Sequence, residues 1–198
     1  MYRLTSRMVQ SLERDLRKYH DLFQGGRCSG WELEELVVRA IKGDTSANHQ
    51  ARWRESGHDD KADIIVTANG DEHLVQVKSG QWVRKNNPVL HLSGHRLGRF
   101  EKNADAITDY LNNPVASMLA IPCKKVNDER GRTFTYEVSY ISKEYLVGLR
   151  ADAWVKLAKQ WKQTNEHGVE FSITGSMSWQ IWWKIPREHV DVAHRLSV

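Results

Sequence analysis

The sequence predicts a single domain of the mixed α/β class. Four segments carry apolar residues at helical spacing, and five shorter segments are continuously apolar or alternate between apolar and polar residues. Forty per cent of the 198 residues are hydrophobic, and 8 Trp, 6 Tyr and 4 Phe are present. This composition can build a core and excludes disorder for most of the chain. The length fits one domain of ordinary size.

Four segments are predicted to be helices: 6–22, 30–42, 99–112 and 151–163. Gly43 ends the second helix, and Asn112-Asn113-Pro114 ends the third, because glycine favours a helix C-terminus and proline cannot continue a helix. In the fourth segment Trp154, Ala158 and Trp161 recur at amphipathic spacing.

Five segments are predicted to be strands: 62–68, 72–79, 115–121, 134–141 and 179–185. The first two flank Asn69-Gly70, which is a strong hairpin signal because a type I′ turn needs positive φ at both central residues. The apolar run 115–121 is typical of a strand buried on both faces. Alternation in the last strand places Trp179, Ile181, Trp183 and Ile185 on one face.

Charge and cysteine content restrict the cellular context. The 29 Lys and Arg residues exceed the 25 Asp and Glu residues by four, which is compatible with a polyanionic partner without requiring one. Cys28 and Cys123 alone do not make a disulfide framework. The first twenty residues are charged throughout, and no apolar stretch is long enough to span a membrane. We therefore expect a cytoplasmic protein with reduced thiols.

The predicted hairpin brings three polar residues together among apolar neighbours. With Asn69-Gly70 as the turn, Asp63 faces Gln76, and Lys78 lies two residues further along the same face. A carboxylate and an ammonium in such surroundings are costly unless they pair with each other or bind a metal ion. One interpretation is a structural Asp63–Lys78 ion pair at the end of the sheet, and the other is a functional site.

Helix 30–42 can add a second carboxylate. A helical wheel places Leu33, Val37 and Ile41 on its apolar face and Glu34 on the flank of that face. Glu32 and Glu35 are expected to point to solvent. Glu34 can therefore point towards whatever the helix packs on, although all three glutamates could instead form a solvated face.

These motifs, taken in order, resemble the PD-(D/E)xK nuclease superfamily, which includes restriction endonucleases, Mrr-type nucleases and archaeal Holliday-junction resolvases. The matching residues are Gly30, Glu34 and Val37 in the helix, Asp63 at the start of a strand, and Gln76-Val77-Lys78 in the returning strand. The resemblance implies a restriction-endonuclease-like mixed central sheet flanked by helices, with an αβββαβ core. It covers about residues 30–121, with 1–29 and 122–198 as additions within one domain, 1–198.

The sequence departs from the family pattern at two positions. Ala62 stands where proline is common, and the neutral Gln76 stands at the middle acidic position, as in Mrr-type relatives. The resemblance implies that Mg²⁺ is the cofactor and that Asp63, the Gln76 side chain, the Val77 carbonyl and Glu34 are its protein ligands. It also implies that Lys78 orients the attacking water and stabilises developing charge.

Basic residues beyond the hairpin are candidates for contacts with DNA. The segment Ser93–Arg99 is expected to lead into a helix N-terminus, where Arg96, Arg99 and Lys102 would suit a phosphate, or else to be an ordinary solvated loop. Ser79 and Trp82 follow the site strand and are further candidates for DNA contact. The loop Thr174–Ser178 is a candidate for reading bases.

Two other histidine-containing motifs carry residue types that bind metal ions. His91 and His95 are four residues apart, but without a CxxC motif a zinc site is disfavoured. His58-Asp59-Asp60 is typical of a solvated loop but could add a carboxylate near the metal.

The sequence therefore predicts a metal-dependent endonuclease acting on double-stranded DNA. The extra residues around the core favour a stand-alone type II restriction endonuclease that reads a palindrome as a homodimer. A repair or Holliday-junction nuclease is the alternative, and a non-catalytic DNA-binding protein with a nuclease-like fold is a third possibility. No GxGxxG, Walker A or GxSxG motif is present, which disfavours dinucleotide, nucleotide-driven and α/β-hydrolase functions.

Overall fold

A computed structural model describes residues 1–54, 61–128, 131–175 and 178–198. Its helices are α1 (Ser6–Leu22), α2 (Trp31–Lys42) and α3 (Ala104–Asn112). Its strands are β1 (His49–Trp53), β2 (Ile64–Ala68), β3 (Asp71–Val83), β4 (Val89–Arg96), β5 (Ser117–Asp128), β6 (Gly131–Ile141), β7 (Val155–Leu157), β8 (Gln160–Thr164), β9 (Glu170–Thr174), β10 (Gln180–Pro186) and β11 (Asp191–Ser197). The predicted mixed α/β class is confirmed.

The described strands form one mixed sheet in the order β11-β6-β5-β3-β4-β10-β9-β8-β7, with β2 added to β3 and β1 added to β2. Strands β3 and β5 run parallel, and the other pairs are antiparallel. Because a parallel pair needs a long crossover, the chain between β3 and β5 includes β4 and α3. Strand β3 thus pairs with three other strands, β2, β4 and β5.

Two apolar clusters cover the sheet. The first joins α1 and α2 to β2, β3 and β5 through Leu12, Leu33, Val37, Ile64 and Val77. The second joins α3 to β4, β5, β9 and β10 through Leu92, Ile107, Ala120, Phe171 and Trp183. Strand β5 contributes side chains to both clusters, which confirms that the apolar run at its start is buried on both faces.

The predicted hairpin is also confirmed. Asn69 and Gly70 both have positive φ, 53° and 91°. The register runs from Ile64 opposite Val75 to Ala68 opposite Asp71, as the sequence predicts. The alternation in β10 is confirmed for Ile181, Trp183 and Ile185, which are its buried residues. Trp179 instead lies in the turn before β10, with φ of 60°, and packs against the second cluster from there.

The helix predicted over 151–163 is wrong. Strands β7 and β8 form an antiparallel hairpin there, and β8 also pairs with β9. Trp154 and Trp161 still meet in the second cluster, with ring centroids 6.3 Å apart. The hairpin brings together the same aromatic residues that a helix would have aligned, and pairing with β9 decides between the two structures.

The third predicted helix begins later than expected. Ser93–Arg96 continues β4, and α3 begins only at Ala104. Glu101 and Lys102 have φ of 48° and 63°, which are incompatible with an α-helix, and the Asn103 side chain then caps α3 by accepting a hydrogen bond from the Ala106 N–H at 3.0 Å. In the described part of the chain no helix combines the length and apolar character needed to cross a membrane.

Candidate functional site

The site lies where β3 lacks a neighbouring strand on one edge. On that edge β2 pairs with β3 as far as Val75, and β4 pairs with β3 only from Gly80 onwards. The other edge is occupied by β5 over the same length. Residues 76–79 therefore face a gap between β2 and β4, and this segment contains the predicted Gln76-Val77-Lys78 motif.

Two glycines shape the gap. A Cβ at Gly80 would lie 2.3 Å from Leu92 Cδ2 and 2.7 Å from the His91 carbonyl oxygen, so only glycine allows β4 to approach β3 here. A Cβ at Gly94 would lie 2.3 Å from Cη2 of Trp183. After Leu92, which pairs with Gly80, strand β4 leaves β3 and pairs with β10 alone, which opens the space beside Gln76.

The Asp63 carboxylate occupies this gap. Its Oδ2 accepts the Val77 N–H at 2.8 Å and lies 2.9 Å from Lys78 Nζ. The Asp63 side chain is 10% exposed and the Lys78 side chain 14%, so this is a nearly buried ion pair. Of the Asp63 carboxylate oxygens, only Oδ2 has hydrogen-bond partners among the described residues.

The backbone at Asp63 differs in detail from the prediction. Its N–H donates to the Val75 carbonyl at 3.0 Å, and its carbonyl accepts the Arg54 N–H at 3.2 Å. The ladder between β2 and β3 ends at Ile64–Val75, so Asp63 and Gln76 do not form a regular cross-strand pair. The Asp63 side chain nevertheless reaches Lys78, because it lies at the edge of β3 where neither β2 nor β4 is paired.

The Val77 carbonyl faces the same gap. In a strand, the N–H and C=O of one residue point to the same edge. Because the Val77 N–H donates to Asp63, its carbonyl also points away from β5.

Glu34 lies on α2, which packs against β1 and β3. Burial is the largest effect on its carboxyl and, together with the negative charge of Asp63, raises the pKa of Glu34 to about 7, although the Lys78 ammonium opposes this rise. No hydrogen bond joins the Glu34 carboxylate to another described residue. Two carboxylates and one ammonium are therefore electrostatically coupled at this site.

The expectation that Glu35 points to solvent is wrong. Glu35 Oε2 accepts a hydrogen bond from Trp53 Nε1 at 2.7 Å. Helix α2 packs on β1 as well as on β3, so Glu35 contacts the indole of Trp53 at the end of β1. Glu32 is only partly exposed.

Gln76 has a partner that the sequence analysis did not connect to it. Its amide Nε2 lies 2.8 Å from His95 Nε2, and the amide side chain is buried. The His95 ring packs edge-on against Tyr110 and Trp183. Burial lowers the pKa of His95 to about 3, and the nearby positive charges of Lys78, Arg99 and Lys61 contribute, so the imidazole is neutral at pH 7.

His91 and His95 do not form a pair. The ring centroid of His91 lies 5.2 Å from that of Trp182, whereas His95 packs against Trp183. Adjacent residues of a strand point to opposite faces, and the register between β4 and β10 shifts between Gln180 and Trp182, so the two histidines lie on opposite faces of the sheet.

A small cavity opens beside Gln76 and His95, lined also by Lys61, Tyr110, Pro114 and Trp183. Lys61 Nζ lies 4.4 Å from the Tyr110 ring centroid and donates to the Asn113 carbonyl, and the Arg99 guanidinium lies 4.8 Å from the same ring. Lys61 thus lines the cavity, and Arg99 lies against one of its lining residues, Tyr110. Sequence reasoning missed Lys61, whose only signal is its position two residues before Asp63.

The predicted phosphate site at a helix N-terminus does not form as expected. Arg96 is exposed at the end of β4, and Arg99 lies in a short 3₁₀ turn. Lys102 just precedes α3, with Nζ 5.1 Å from the Trp179 ring centroid. The helix cap itself is satisfied by Asn103. These basic residues therefore lie at the end of β4 or between β4 and α3, and not in the first turn of a helix.

The other predicted DNA contacts lie on β3 or in the loop before β10. Ser79 is half-buried, and the Trp82 indole N–H donates to Glu137 Oε2 at 2.6 Å. Strand β3 extends to Val83, so Trp82 belongs to the site strand. In the Thr174–Ser178 loop, residues 176–177 lie outside the described residues, as does His58-Asp59-Asp60.

The candidate donors towards a cation are all oxygens: the carboxylates of Asp63 and Glu34, the Gln76 amide and the Val77 carbonyl. This set suits Mg²⁺, which prefers oxygen ligands and keeps several waters. Over residues 1–54, 61–128, 131–175 and 178–198 no group of three or more His, Cys, Asp or Glu side chains could hold a metal ion, as expected where a glutamine replaces an acid. No protein-family model, curated protein or solved structure matches this chain.

Proposed function

We propose that this chain is a Mg²⁺-dependent endonuclease that hydrolyses phosphodiester bonds in double-stranded DNA, most similar to a type II restriction endonuclease of the PD-(D/E)xK superfamily. The observation that carries the proposal is the nearly buried Asp63–Lys78 pair, 2.9 Å apart at a gap in the sheet and coupled to Glu34. The element order α2, β1, β2, β3, β4, α3, β5 supports the αβββαβ core that the resemblance implies, with β1 as an additional strand that pairs with β2.

A purely structural ion pair accounts for less of this arrangement. Such a pair needs no second carboxylate, and bringing Glu34 near Asp63 adds like-charge repulsion without a hydrogen bond in return. The same arrangement is useful if a cation binds between the carboxylates. The raised pKa of Glu34 is therefore an argument for a functional site.

The protein ligands for Mg²⁺ are, in this proposal, Asp63, Glu34, the Gln76 amide oxygen and the Val77 carbonyl. When bound, the ion supplies a Lewis acid for the scissile phosphate and lowers the pKa of a coordinated water. Glu34 must lose its proton to act as a ligand, so its raised pKa links ion binding to pH.

The chain's own groups perform the remaining tasks. The Lys78 ammonium is held by Asp63, so it can donate hydrogen bonds to the attacking water and to phosphate oxygens that gain negative charge. The Val77 N–H fixes the Asp63 carboxylate in turn. Lys61, which lines the cavity, and Arg99, which stacks on Tyr110, are proposed to bind the negative charge of a neighbouring phosphate.

Specific recognition requires more surface than one catalytic core offers. A chain of this size is expected to cover little more than a half-site, so we propose a homodimer that reads a palindrome. Arg96 at the end of β4 and Lys102 before α3 are both exposed, and we propose that they contact phosphates. Ser79 and Trp82 on the site strand are proposed to contact DNA as well.

The test is digestion of supercoiled plasmid DNA by the purified protein in Mg²⁺, followed by sequencing of the product ends, with EDTA as the control. Discrete fragments that share a short sequence at every end support the proposal. Cleavage confined to synthetic four-way junctions, or a smear without a shared sequence, would instead assign the repair or junction nuclease. Cleavage that persists after thorough chelation would overturn the metal-dependent mechanism.

A further inference from the structure

We infer that His95 is a positioning residue that orients the Gln76 amide, so that the amide oxygen and not the NH₂ group is available to the cation. This inference rests on the proposed metal site. It assigns a role to a half-buried histidine that the proposed chemistry does not otherwise use.

The first step is the direction of the hydrogen bond between the two residues. Gln76 Nε2 and His95 Nε2 are 2.8 Å apart. An amide nitrogen only donates hydrogen bonds, and an imidazole nitrogen accepts one only when it carries no proton. The amide must therefore donate to His95, and the remaining imidazole proton must lie on Nδ1.

The second step concerns the amide oxygen. Gln76 Oε1 accepts no hydrogen bond from a described residue, although the residue as a whole is only 5% exposed. Among the described residues, Gln76 Oε1 is not one of the fully enclosed side-chain atoms that lack a hydrogen-bond partner. The oxygen is therefore partly accessible, as a ligand atom must be.

The third step is the fixation of the His95 ring. Tyr110 and Trp183 pack edge-on against it, with ring centroids 5.7 and 6.2 Å away. These contacts hold the ring in one orientation. A ring held in this way keeps its Nε2 within hydrogen-bond distance of the Gln76 amide.

The need for such a partner follows from replacing an acid with an amide. A carboxylate presents an oxygen in either orientation, whereas an amide rotated by 180° presents NH₂ and repels a cation. A glutamine ligand therefore requires a neighbour that selects one orientation, and such supporting contacts affect metal affinity strongly. A glutamate at position 76 would not require it.

The first measurement determines the tautomer directly. The intact protein is labelled with ¹⁵N-histidine, and long-range ¹H–¹⁵N spectra at pH 7.5 without metal report which ring nitrogen carries the proton. His95→Leu and His95→Gln each identify the His95 signal among the nine histidines by its loss. We expect a proton on Nδ1 and none on Nε2. A proton on Nε2 would mean that the imidazole donates to Gln76 Oε1, which would overturn the inference.

The second measurement is calorimetric titration with Mn²⁺ in the absence of DNA. His95→Leu should weaken Mn²⁺ binding by about 10- to 100-fold. His95→Gln supplies a carbonyl acceptor and should recover part of the loss. His91→Leu is the matched control on the same strand and should leave the affinity unchanged, because His91 lies against Trp182 and away from Gln76.

A double substitution separates positioning from general packing. In a Gln76→Glu background, removal of His95 should cost far less Mn²⁺ affinity than in the wild type, because a carboxylate needs no orientation. Equal losses in both backgrounds would overturn the inference. Absence of Mn²⁺ binding by the wild type would overturn the proposed function and this role together, whereas a proton on Nε2 overturns the role of His95 alone.

Discussion

Lys78 Nζ lies 2.9 Å from Asp63 Oδ2 across the one stretch of β3 that β2 and β4 both leave unpaired. The Asp63 carboxylate substitutes for a neighbouring strand by accepting the Val77 N–H. The same side chain thus completes the sheet and holds the ammonium. Stability and the proposed chemistry are therefore coupled at these two residues.

The first prediction concerns that coupling. Lys78→Met should lower the free energy of unfolding by about 3 kcal/mol at pH 8, because it leaves the Asp63 carboxylate buried without its partner. It should also abolish cleavage. Urea unfolding monitored by circular dichroism measures the stability change, and Lys85→Met, at an exposed loop position, is the control. Equal stabilities of the two variants would contradict a buried pair.

The second prediction is a pH dependence caused by Glu34. The folded protein keeps the Glu34 proton up to about pH 7, whereas the unfolded chain releases it near the ordinary value of 4.5. Stability from this group is therefore fully present below pH 4.5 and is lost as the pH rises through about 7. Urea unfolding in EDTA should show this loss in the wild type, and Glu34→Gln should remove it. An unchanged pH profile in that variant would contradict the assignment.

Metal binding should depend on pH with the opposite sign. The proton on Glu34 competes with the cation, so affinity should rise with pH, by up to about tenfold per unit below the pKa. The rise should level off above about pH 7. Mn²⁺ titrations between pH 5.5 and 8.5 measure this effect.

The third prediction separates two adjacent glutamates. Glu34→Ala should abolish cleavage without lowering stability at pH 8, because it removes a destabilised carboxylate. Glu35→Ala should keep cleavage but lower stability by about 1 kcal/mol, because Trp53 Nε1 loses its acceptor. Plasmid digestion and urea unfolding of both variants test this reversal. Similar effects of the two substitutions on cleavage would contradict the roles assigned to them.

The fourth prediction tests the shape of the gap. Gly94→Ala should lower the free energy of unfolding by about 1–3 kcal/mol, since its Cβ would lie 2.3 Å from a Trp183 ring atom. Gly25→Ala is the control, because no atom lies within 4 Å of its Cβ position. Thermal unfolding compares the two variants. A Gly94→Ala protein as stable as the control would mean that β4 does not pack closely on β10 there.

The site hairpin could be predicted because its information is local. Asn69-Gly70 fixes the turn, the turn fixes the register, and the register brings Lys78 near Asp63. Helical spacing likewise placed Glu34 on the flank of the apolar face of α2. Each inference used residues within one element or one turn.

The errors arose where distant segments decide the structure. Trp154 and Trp161 fit a helix as well as a hairpin, and only pairing with β9 resolves the choice. The contact between Gln76 and His95 depends on β4 leaving β3 after Leu92 while it continues to pair with β10, and this pairing joins segments that are distant in sequence. The Glu35–Trp53 hydrogen bond depends on a strand that the sequence analysis did not predict.

The most direct test of the central claim compares two aspartates of the same hairpin. Asp63→Asn keeps an acceptor for the Val77 N–H but removes the charge beside Lys78, whereas Asp71→Asn changes an exposed residue at the turn. The wild type and both variants are assayed for plasmid cleavage in Mg²⁺ and for DNA binding in Ca²⁺. The account predicts that Asp63→Asn binds DNA but leaves the plasmid intact, while Asp71→Asn cuts like the wild type. Cleavage by Asp63→Asn at the wild-type rate, or no cleavage by any of the three proteins, would contradict it.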